Sequence, residues 1–171
     1  ASGFSVDCCS SGLVRVAGNE EEEHLLKQQS MWAAKRGLDL PWLSAKEALE
    51  LEPSNVYALR QLASMSERRQ DFETAIGYRS RIVELQPWRG DRWIERGDLY
   101  RRAELPELAQ LDYARARELS PHWPRSYHRL GLMAYEQADE EKALEYWENA
   151  LIRNPTNTSL ADHIDFLRPR G

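Results

Sequence analysis

Proline recurs at a fixed interval along most of this chain, and that interval constrains the fold more than any other feature of the sequence. Pro53, Pro87, Pro121 and Pro155 follow one another at intervals of 34 residues. A period of a few tens of residues is typical of solenoids, in which each repeat buries its apolar face only against its neighbours. The prolines therefore predict an array of equal structural units.

Small and large side chains recur in the same phase as the prolines. The small ones are Ala75, Ala109 and Ala143, and Ala63, Gly97 and Gly131. The large ones are Leu59, Trp93 and Tyr127, and Tyr113 and Trp147. Two antiparallel helices joined by a short turn cross closely only where a small residue lies at the contact. The alternation therefore predicts helical hairpins whose crossings are marked by the small residues.

Each unit is predicted to contain two helices, with boundaries that the sequence signals. The predicted pairs are 56–69 with 72–85, 90–103 with 106–119, and 124–137 with 140–153. Asp71 and Asp139 are suited to cap second helices, and Pro106 suits a first helical turn. The periodic prolines end each second helix because proline cannot continue it.

These residues resemble the tetratricopeptide repeat family over about 56–157. The resemblance implies an all-α fold, a right-handed α-α superhelix of helix-turn-helix repeats with a C-terminal capping helix. The domains it implies are an extended or flexible N-terminal arm at 1–19, a degenerate helical pair at 20–55, repeats at 56–89, 90–123 and 124–157, and a capping helix and tail at 158–171. In the degenerate pair, Ala48 and Pro53 are retained, whereas Pro41 stands in place of an alanine.

Three positions depart from the family pattern within the clear repeats. Arg79 stands where an aromatic residue is expected, Ile82 where alanine is expected, and Arg96 where leucine is expected. Two of these lie in the first clear repeat, so we expect that repeat to pack loosely.

The resemblance also implies a function, because the first helices of successive repeats line a concave surface in this family. We expect a non-catalytic scaffold or assembly factor that binds a partner peptide or helix in this groove. The facing positions are Tyr57, Arg60, Ser64, Ile94, Glu95, Asp98, Arg125, His128, Arg129 and Tyr135, with Gln61, Asp91 and Leu132 among them.

Two interpretations of the basic groove residues stay open. Arg60, Arg125 and Arg129 fall on positions at which clamp-type members of the family hold the terminal carboxylate of an acidic peptide, and arginine meets a carboxylate with two parallel hydrogen bonds. This would make the chain a co-chaperone-like clamp, although Glu95 in the groove would repel such a ligand. In the other interpretation, these arginines pair with the acidic residues of the neighbouring helix and hold no ligand.

A third possibility uses surfaces outside the groove. The chain has 6 tryptophans, and Trp88 and Trp123 each follow a repeat-ending proline, where an exposed indole would be a contact hot spot. With residues 1–19, they would suit a constitutive subunit of a large complex or a docking segment of a larger multidomain protein.

Charge and motif patterns weigh against several other functions. The net charge of −5 argues against nucleic-acid binding, which needs a concentrated basic surface. Charged residues interrupt every hydrophobic stretch, so no transmembrane segment is expected and any membrane association would run through a partner. The histidines lack metal-ligand spacing, and no nucleophile elbow or phosphate-binding glycine loop occurs. We therefore expect no catalytic residue, metal or cofactor.

The N-terminal residues leave the compartment open. Cys8 and Cys9 are adjacent, so they define no long-range disulfide, and free thiols are the simpler expectation. The chain begins with Ala1 rather than methionine. Both a cytoplasmic protein and a processed protein of an organelle or the periplasm fit these features.

Overall fold

The computed structural model describes residues 5–6, 14–17, 19–35 and 42–168, which divide between two compact units, residues 1–85 and residues 86–171. The helices of the first unit are α1 (Glu20–Ala34), α2 (Ala45–Leu51), α3 (Val56–Arg68) and α4 (Phe72–Leu85). Those of the second are α5 (Gly90–Arg102), α6 (Pro106–Leu119), α7 (Pro124–Glu136), α8 (Glu140–Arg153) and α9 (Thr158–Leu167). The pairs α3–α4, α5–α6 and α7–α8 confirm the predicted helical hairpins.

The same turn closes each of the three hairpins. Gln70, Glu104 and Ala138 lie 34 residues apart and have positive φ angles of 60°, 58° and 58°. The residue after each one donates its backbone N–H to the carbonyl five residues earlier, at 2.9 Å in all three turns. Such a bond satisfies a carbonyl that the end of a helix leaves without a partner. The 34-residue period is therefore repeated in backbone geometry as well as in sequence.

Small residues allow the helices of each hairpin in the second unit to approach closely. A Cβ atom built on Gly97 would lie 2.6 Å from the Tyr113 ring, and one built on Gly131 would overlap the Trp147 indole. Both aromatic side chains are almost fully buried. The predicted role of these two glycines at helix crossings is thus confirmed.

The predicted helix caps are also present. The Asp71 carboxylate accepts a hydrogen bond from the Thr74 N–H, and the Asp139 carboxylate accepts one from the Lys142 N–H, both at 3.1 Å. Pro106 occupies the first turn of α6, where the missing N–H costs nothing.

The described residues of the second unit form two hydrophobic clusters. The first is formed by Ile94, Ala109, Tyr113, Ala116, Leu130 and Met133, and the second by Ala134, Ala143, Trp147, Ala150, Leu160 and Ile164. Leu160 and Ile164 come from α9, so this helix covers the end of the α7–α8 hairpin, as a capping helix does.

The first unit contains a small sheet that the sequence pattern did not predict. Strand β1 (Ser5–Val6) pairs antiparallel with β2 (Val14–Ala17), which pairs parallel with β3 (Trp42–Ser44). The strands add to a fold that is otherwise helical in its described part. Cys8, Cys9 and Pro41 lie outside the described residues.

In the first clear repeat, the two side chains that depart from the family pattern are both largely buried. Ile82 is buried, and the Arg79 guanidinium donates to the Glu67 carboxylate at 2.9 Å with both side chains largely covered. An ion pair thus stands where the other two hairpins place Tyr113 and Trp147.

Candidate partner-binding site

The face formed by α5 and α7 in the second unit carries most of the residues predicted to contact a partner. We call it the α5/α7 face and define it by Glu95, Asp98, Arg125, His128, Arg129 and Tyr135. Arg125 is exposed, Tyr135 is 43% exposed, and the other four are partly covered. The face therefore offers one exposed cation and one exposed aromatic ring on a largely covered polar floor.

A polar network centred on Asp98 forms this floor. Arg129 on α7 approaches Asp98 on α5 with Nε at 2.6 Å from Oδ1 and Nη2 at 3.0 Å from Oδ2. The Tyr113 hydroxyl of α6 donates to the same Oδ1 at 2.8 Å. Burial raises the pKa of Tyr113, and the charge of Asp98 and the hydrogen bond to it raise it further, so the phenol stays a neutral donor. Three helices are thereby tied at one carboxylate.

The other carboxylates of α5 are neutralised by arginines close to them in sequence. Arg92 donates to Glu95 at 3.1 Å and lies 3.8 Å from Asp91, which also accepts two hydrogen bonds from Arg89. Among the described residues, Arg129 is therefore the one groove arginine that pairs with the neighbouring helix.

The two remaining groove arginines have no such partner. Arg125 and Arg60 are exposed, and neither forms an ion pair or hydrogen bond within the described ranges. Arg60 belongs to the first unit, on α3. Of the three arginines assigned to the clamp, two therefore present a guanidinium to solvent and the third is engaged by Asp98.

Aromatic rings surround Trp147 at the base of the C-terminal part of this face. The indole is 4% exposed, with the Tyr135 ring at 5.6 Å and the His163 ring at 5.9 Å between centroids. Its Nε1 donates to the His128 carbonyl oxygen at 3.3 Å. Burial lowers the pKa of the His128 imidazole, and electrostatic interaction with the neighbouring Arg129 and His163 side chains lowers it further. His128 is therefore neutral at pH 7.

The face continues onto α9, which lies beyond the groove predicted from the sequence. His163 and Phe166 lie 34 residues after Arg129 and Leu132, and Phe166 is 78% exposed. The period itself was the signal that could have found them, since it continues beyond Pro155.

Other predicted contact residues lie elsewhere. Ile94 is fully buried in the first cluster of the second unit, because its side chain points into the core, and is therefore not a contact residue. Trp123 packs against that cluster, whereas Trp88 is 67% exposed. In the first unit, Tyr57 packs beside Ala45, Ala48 and Ala58, and Ser64 is partly covered.

Two other kinds of site are absent from the residues that the structure describes. No three of their His, Cys, Asp or Glu side chains are close enough to share a metal ion. No helix among them combines the length and apolar character needed to cross a membrane.

Comparison with known proteins identifies the repeat and the fold. Residues 124–157 match the tetratricopeptide repeat family model, and no curated protein matches the chain. A crystal structure of MamA superposes with a TM-score of 0.64 at 21% identity, covering 72% of each chain. The first repeat domain of Spaghetti (RPAP3), solved with the HSP90 peptide SRMEEVD, gives a TM-score of 0.59 at 18% identity, covering 66% of this chain and 89% of that one.

A plant protein gives the same result. The tetratricopeptide repeat domain of Arabidopsis OM64 superposes with a TM-score of 0.59 at 15% identity, covering 68% of this chain and 96% of that one. The family resemblance and the helical solenoid fold expected from the sequence are confirmed: the chain has the fold of tetratricopeptide repeat arrays, with a recognisable repeat at 124–157.

Proposed function

We propose that this tetratricopeptide repeat chain is a scaffold that binds a segment of a partner protein on the α5/α7 face and its continuation on α9. The observation that carries the proposal is the contrast between a fixed floor and an exposed rim. Asp98 binds Arg129 and Tyr113 beneath the surface, while Arg125, Tyr135 and Phe166 extend into solvent.

The fixed floor favours binding because little conformational entropy remains to be lost on the scaffold side. Aromatic side chains and arginine dominate the energetics of protein interfaces, and this rim presents both kinds. The solved RPAP3 domain, which has this fold, is bound to a peptide. Since that likeness concerns the fold alone, the contacts proposed here rest on this chain's own residues.

Loss of the rim tests the proposal in the native source. The tagged chain and its Arg125→Glu and Tyr135→Ala variants would each be used to recover interacting proteins. Glu145→Ala, a change at an exposed α8 position, is the matched control. We expect the unmodified chain and the control to retain the same partner and the rim variants to lose it by about tenfold or more. Equal retention by all four proteins would contradict the proposal.

A second candidate function is the recognition of an acidic chain end. Its support in the second unit is that Arg125 is exposed and forms no ion pair in the described part of the chain. Arg60, in the first unit, is likewise exposed and forms no ion pair with a described residue. The Arg129–Asp98 pair weakens it, because that guanidinium already has a carboxylate partner. Titration with the peptide SRMEEVD, with its terminal carboxylate free or amidated, separates the two functions. Clamp binding requires a large loss on amidation, whereas the rim proposal does not.

The chain is also proposed as a part of a larger assembly. Trp88, at 67% exposed, is the described feature that favours this role over a free scaffold. Size-exclusion chromatography of the native protein would show it in a high-mass complex, and elution as a free monomer would argue against it.

A further inference from the structure

A row of leucines at the start of α6, beginning with the N-cap residue Leu105, breaks the repeat pattern without filling the core. Leu105, Leu108 and Leu111 are 41%, 42% and 66% exposed, and none of them belongs to a hydrophobic cluster of the second unit. Their spacing of three residues places them along one side of the helix. The row spans about 9 Å at the helical rise per residue. We call it the α6 leucine row.

The other hairpins show what these positions need for folding alone. The positions equivalent to Leu105 are Asp71 and Asp139, which cap their helices. Those equivalent to Leu108 are Thr74 and Lys142, and those equivalent to Leu111 are Gly77 and Glu145. Folding in two of the three hairpins is thus achieved with polar or small residues at all three positions.

The leucines also remove a stabilising feature. At Leu105 the start of α6 has no side-chain cap, although the same turn geometry is present there. Loss of an Asp cap weakens a helix, and three exposed leucines add apolar surface that water disfavours. Folding of the α5–α6 hairpin therefore does not account for the three leucines.

The charges around the row indicate the chemistry of its partner. Glu104 and Glu107 are exposed beside it, and neither carboxylate has an ion-pair partner within the described residues. The nearby Arg115 is already neutralised by Glu118 at 2.6 Å. The uncompensated charge at this surface is therefore negative, and a second copy of the chain would bring more of the same sign.

We propose that the α6 leucine row docks an amphipathic helix of a partner protein, whose apolar stripe covers the leucines and whose basic residues meet Glu104 and Glu107. About two turns of helix match the length of the row, with anchors spaced three and four residues apart. This surface lies on α6, which contributes only the buried Tyr113 to the floor of the α5/α7 face, so the proposal is independent of groove binding.

The repeat supplies a variant that removes the row without harming the fold. The triple change Leu105→Asp, Leu108→Lys and Leu111→Glu gives α6 the residues that α8 carries at the same positions. Because the aspartate restores a cap, we expect the variant to keep the wild-type circular dichroism spectrum and to melt about 2–4 °C higher.

The binding experiment uses two synthetic 16-residue helices. Both carry leucines three and four residues apart; one has lysines beside the stripe and the other has glutamates at the same places. Leucine methyl NMR spectra of the full chain report where each peptide binds. We expect the lysine peptide to shift the signals of Leu105, Leu108 and Leu111. Its affinity for the wild-type chain should be at least tenfold higher than that of the glutamate peptide. It should also be at least tenfold higher than its own affinity for the triple variant.

Several results would overturn the proposal. If neither peptide moves the leucine signals, the row is not a docking site. If the two peptides bind equally tightly, the proposed preference for a basic helix is wrong. A variant that melts below the wild type would show that the leucines are structural. Sedimentation showing a wild-type dimer and a monomeric variant would assign the row to a second copy of the chain.

Discussion

The hairpins α5–α6 and α7–α8 have the same backbone plan and opposite chemistry at one position of their interfaces. In α7–α8, Leu130 belongs to the first cluster of the second unit and Tyr146 packs against it. At the equivalent positions of α5–α6, Arg96 donates two hydrogen bonds to the Asp112 carboxylate, each at 2.7 Å.

The charged pair is tolerated because its surroundings complete it. The side chains of Arg96 and Asp112 are 16% and 5% exposed, and the Arg96 guanidinium lies 5.1 Å from the Trp93 ring centroid and 5.5 Å from that of Tyr100. A bidentate pair between aromatic faces satisfies a buried guanidinium better than a point-charge contact would. The repeat therefore fixes the helix crossings, while the chemistry of the side chains between the crossings differs from one hairpin to the next.

Breaking the charged pair should have the largest effect of the changes considered. Asp112→Ala leaves Arg96 buried without its carboxylate, which we expect to lower the free energy of unfolding by about 3–5 kcal/mol. The double change Arg96→Leu with Asp112→Tyr copies the α7–α8 hairpin and should recover most of that loss. Chemical denaturation of the single and double variants measures both effects. A single variant as stable as the wild type would contradict the account of the pair.

Adding a methyl group at the crossings should have the next largest effect. Gly97→Ala and Gly131→Ala insert a Cβ into the Tyr113 ring and the Trp147 indole, so we expect losses of about 1–3 kcal/mol. Gly131→Ala should cost more because its overlap is closer.

Gly77 on α4 offers a control for the crossing glycines. No atom lies within 4 Å of a Cβ built there, so alanine should stabilise the helix by about 0.5–1 kcal/mol through its better helix propensity. Thermal melts of the three variants are the measurement, and equal effects at all three positions would show that the crossings are not tightly packed.

Relieving the backbone strain in the turns of α5–α6 and α7–α8 should raise the free energy of unfolding. The effect should be smaller than those above and similar in the two hairpins. Glu104 and Ala138 have φ angles of 58°, a region that glycine adopts without the steric cost that Cβ imposes. Glu104→Gly and Ala138→Gly should each raise the free energy of unfolding by about 0.5–1 kcal/mol, measured by denaturant titration. Ala103→Gly, at a φ of −84°, is the control and should destabilise.

A modest pH effect should distinguish α7–α8 from α5–α6. The pKa of His128 is lowered in the folded chain, so the folded state binds fewer protons than the unfolded one as pH falls below about 6.5. The stability contributed by neutral His128 is present above that pH and is lost as pH falls through the lowered pKa. His128→Gln should flatten this part of the stability profile, and an unchanged profile would show that His128 does not contribute.

The period predicted the backbone plan because it reports on features local to each hairpin. Crossing glycines, capping aspartates and the turns between helices all recur in phase, and the structure contains them. The sequence does not indicate the positive φ angles, because Gln70, Glu104 and Ala138 are not glycines. The sequence does not indicate the small sheet either, because its strands are only two to four residues long.

The site was less predictable because its contacts join residues distant in sequence. The departure at Arg96 was visible, but its partner Asp112 stands where the other hairpins carry tyrosine. The position of Ile94 in the repeat predicts that it lies on the face, whereas its side chain is buried in the core. Which groove arginine is neutralised depends on the Asp98 geometry, which spacing does not specify.

Site-specific photo-crosslinking tests the proposed binding face most directly. A photo-reactive phenylalanine analogue would be placed in turn at Tyr135, Phe166 and Glu145, and the chain irradiated in an extract of its native source. We expect the first two positions to crosslink the same partner and Glu145 to crosslink none. A partner captured only from Glu145, or equally from all three positions, would contradict the assignment of the α5/α7 face and its α9 continuation as the binding surface.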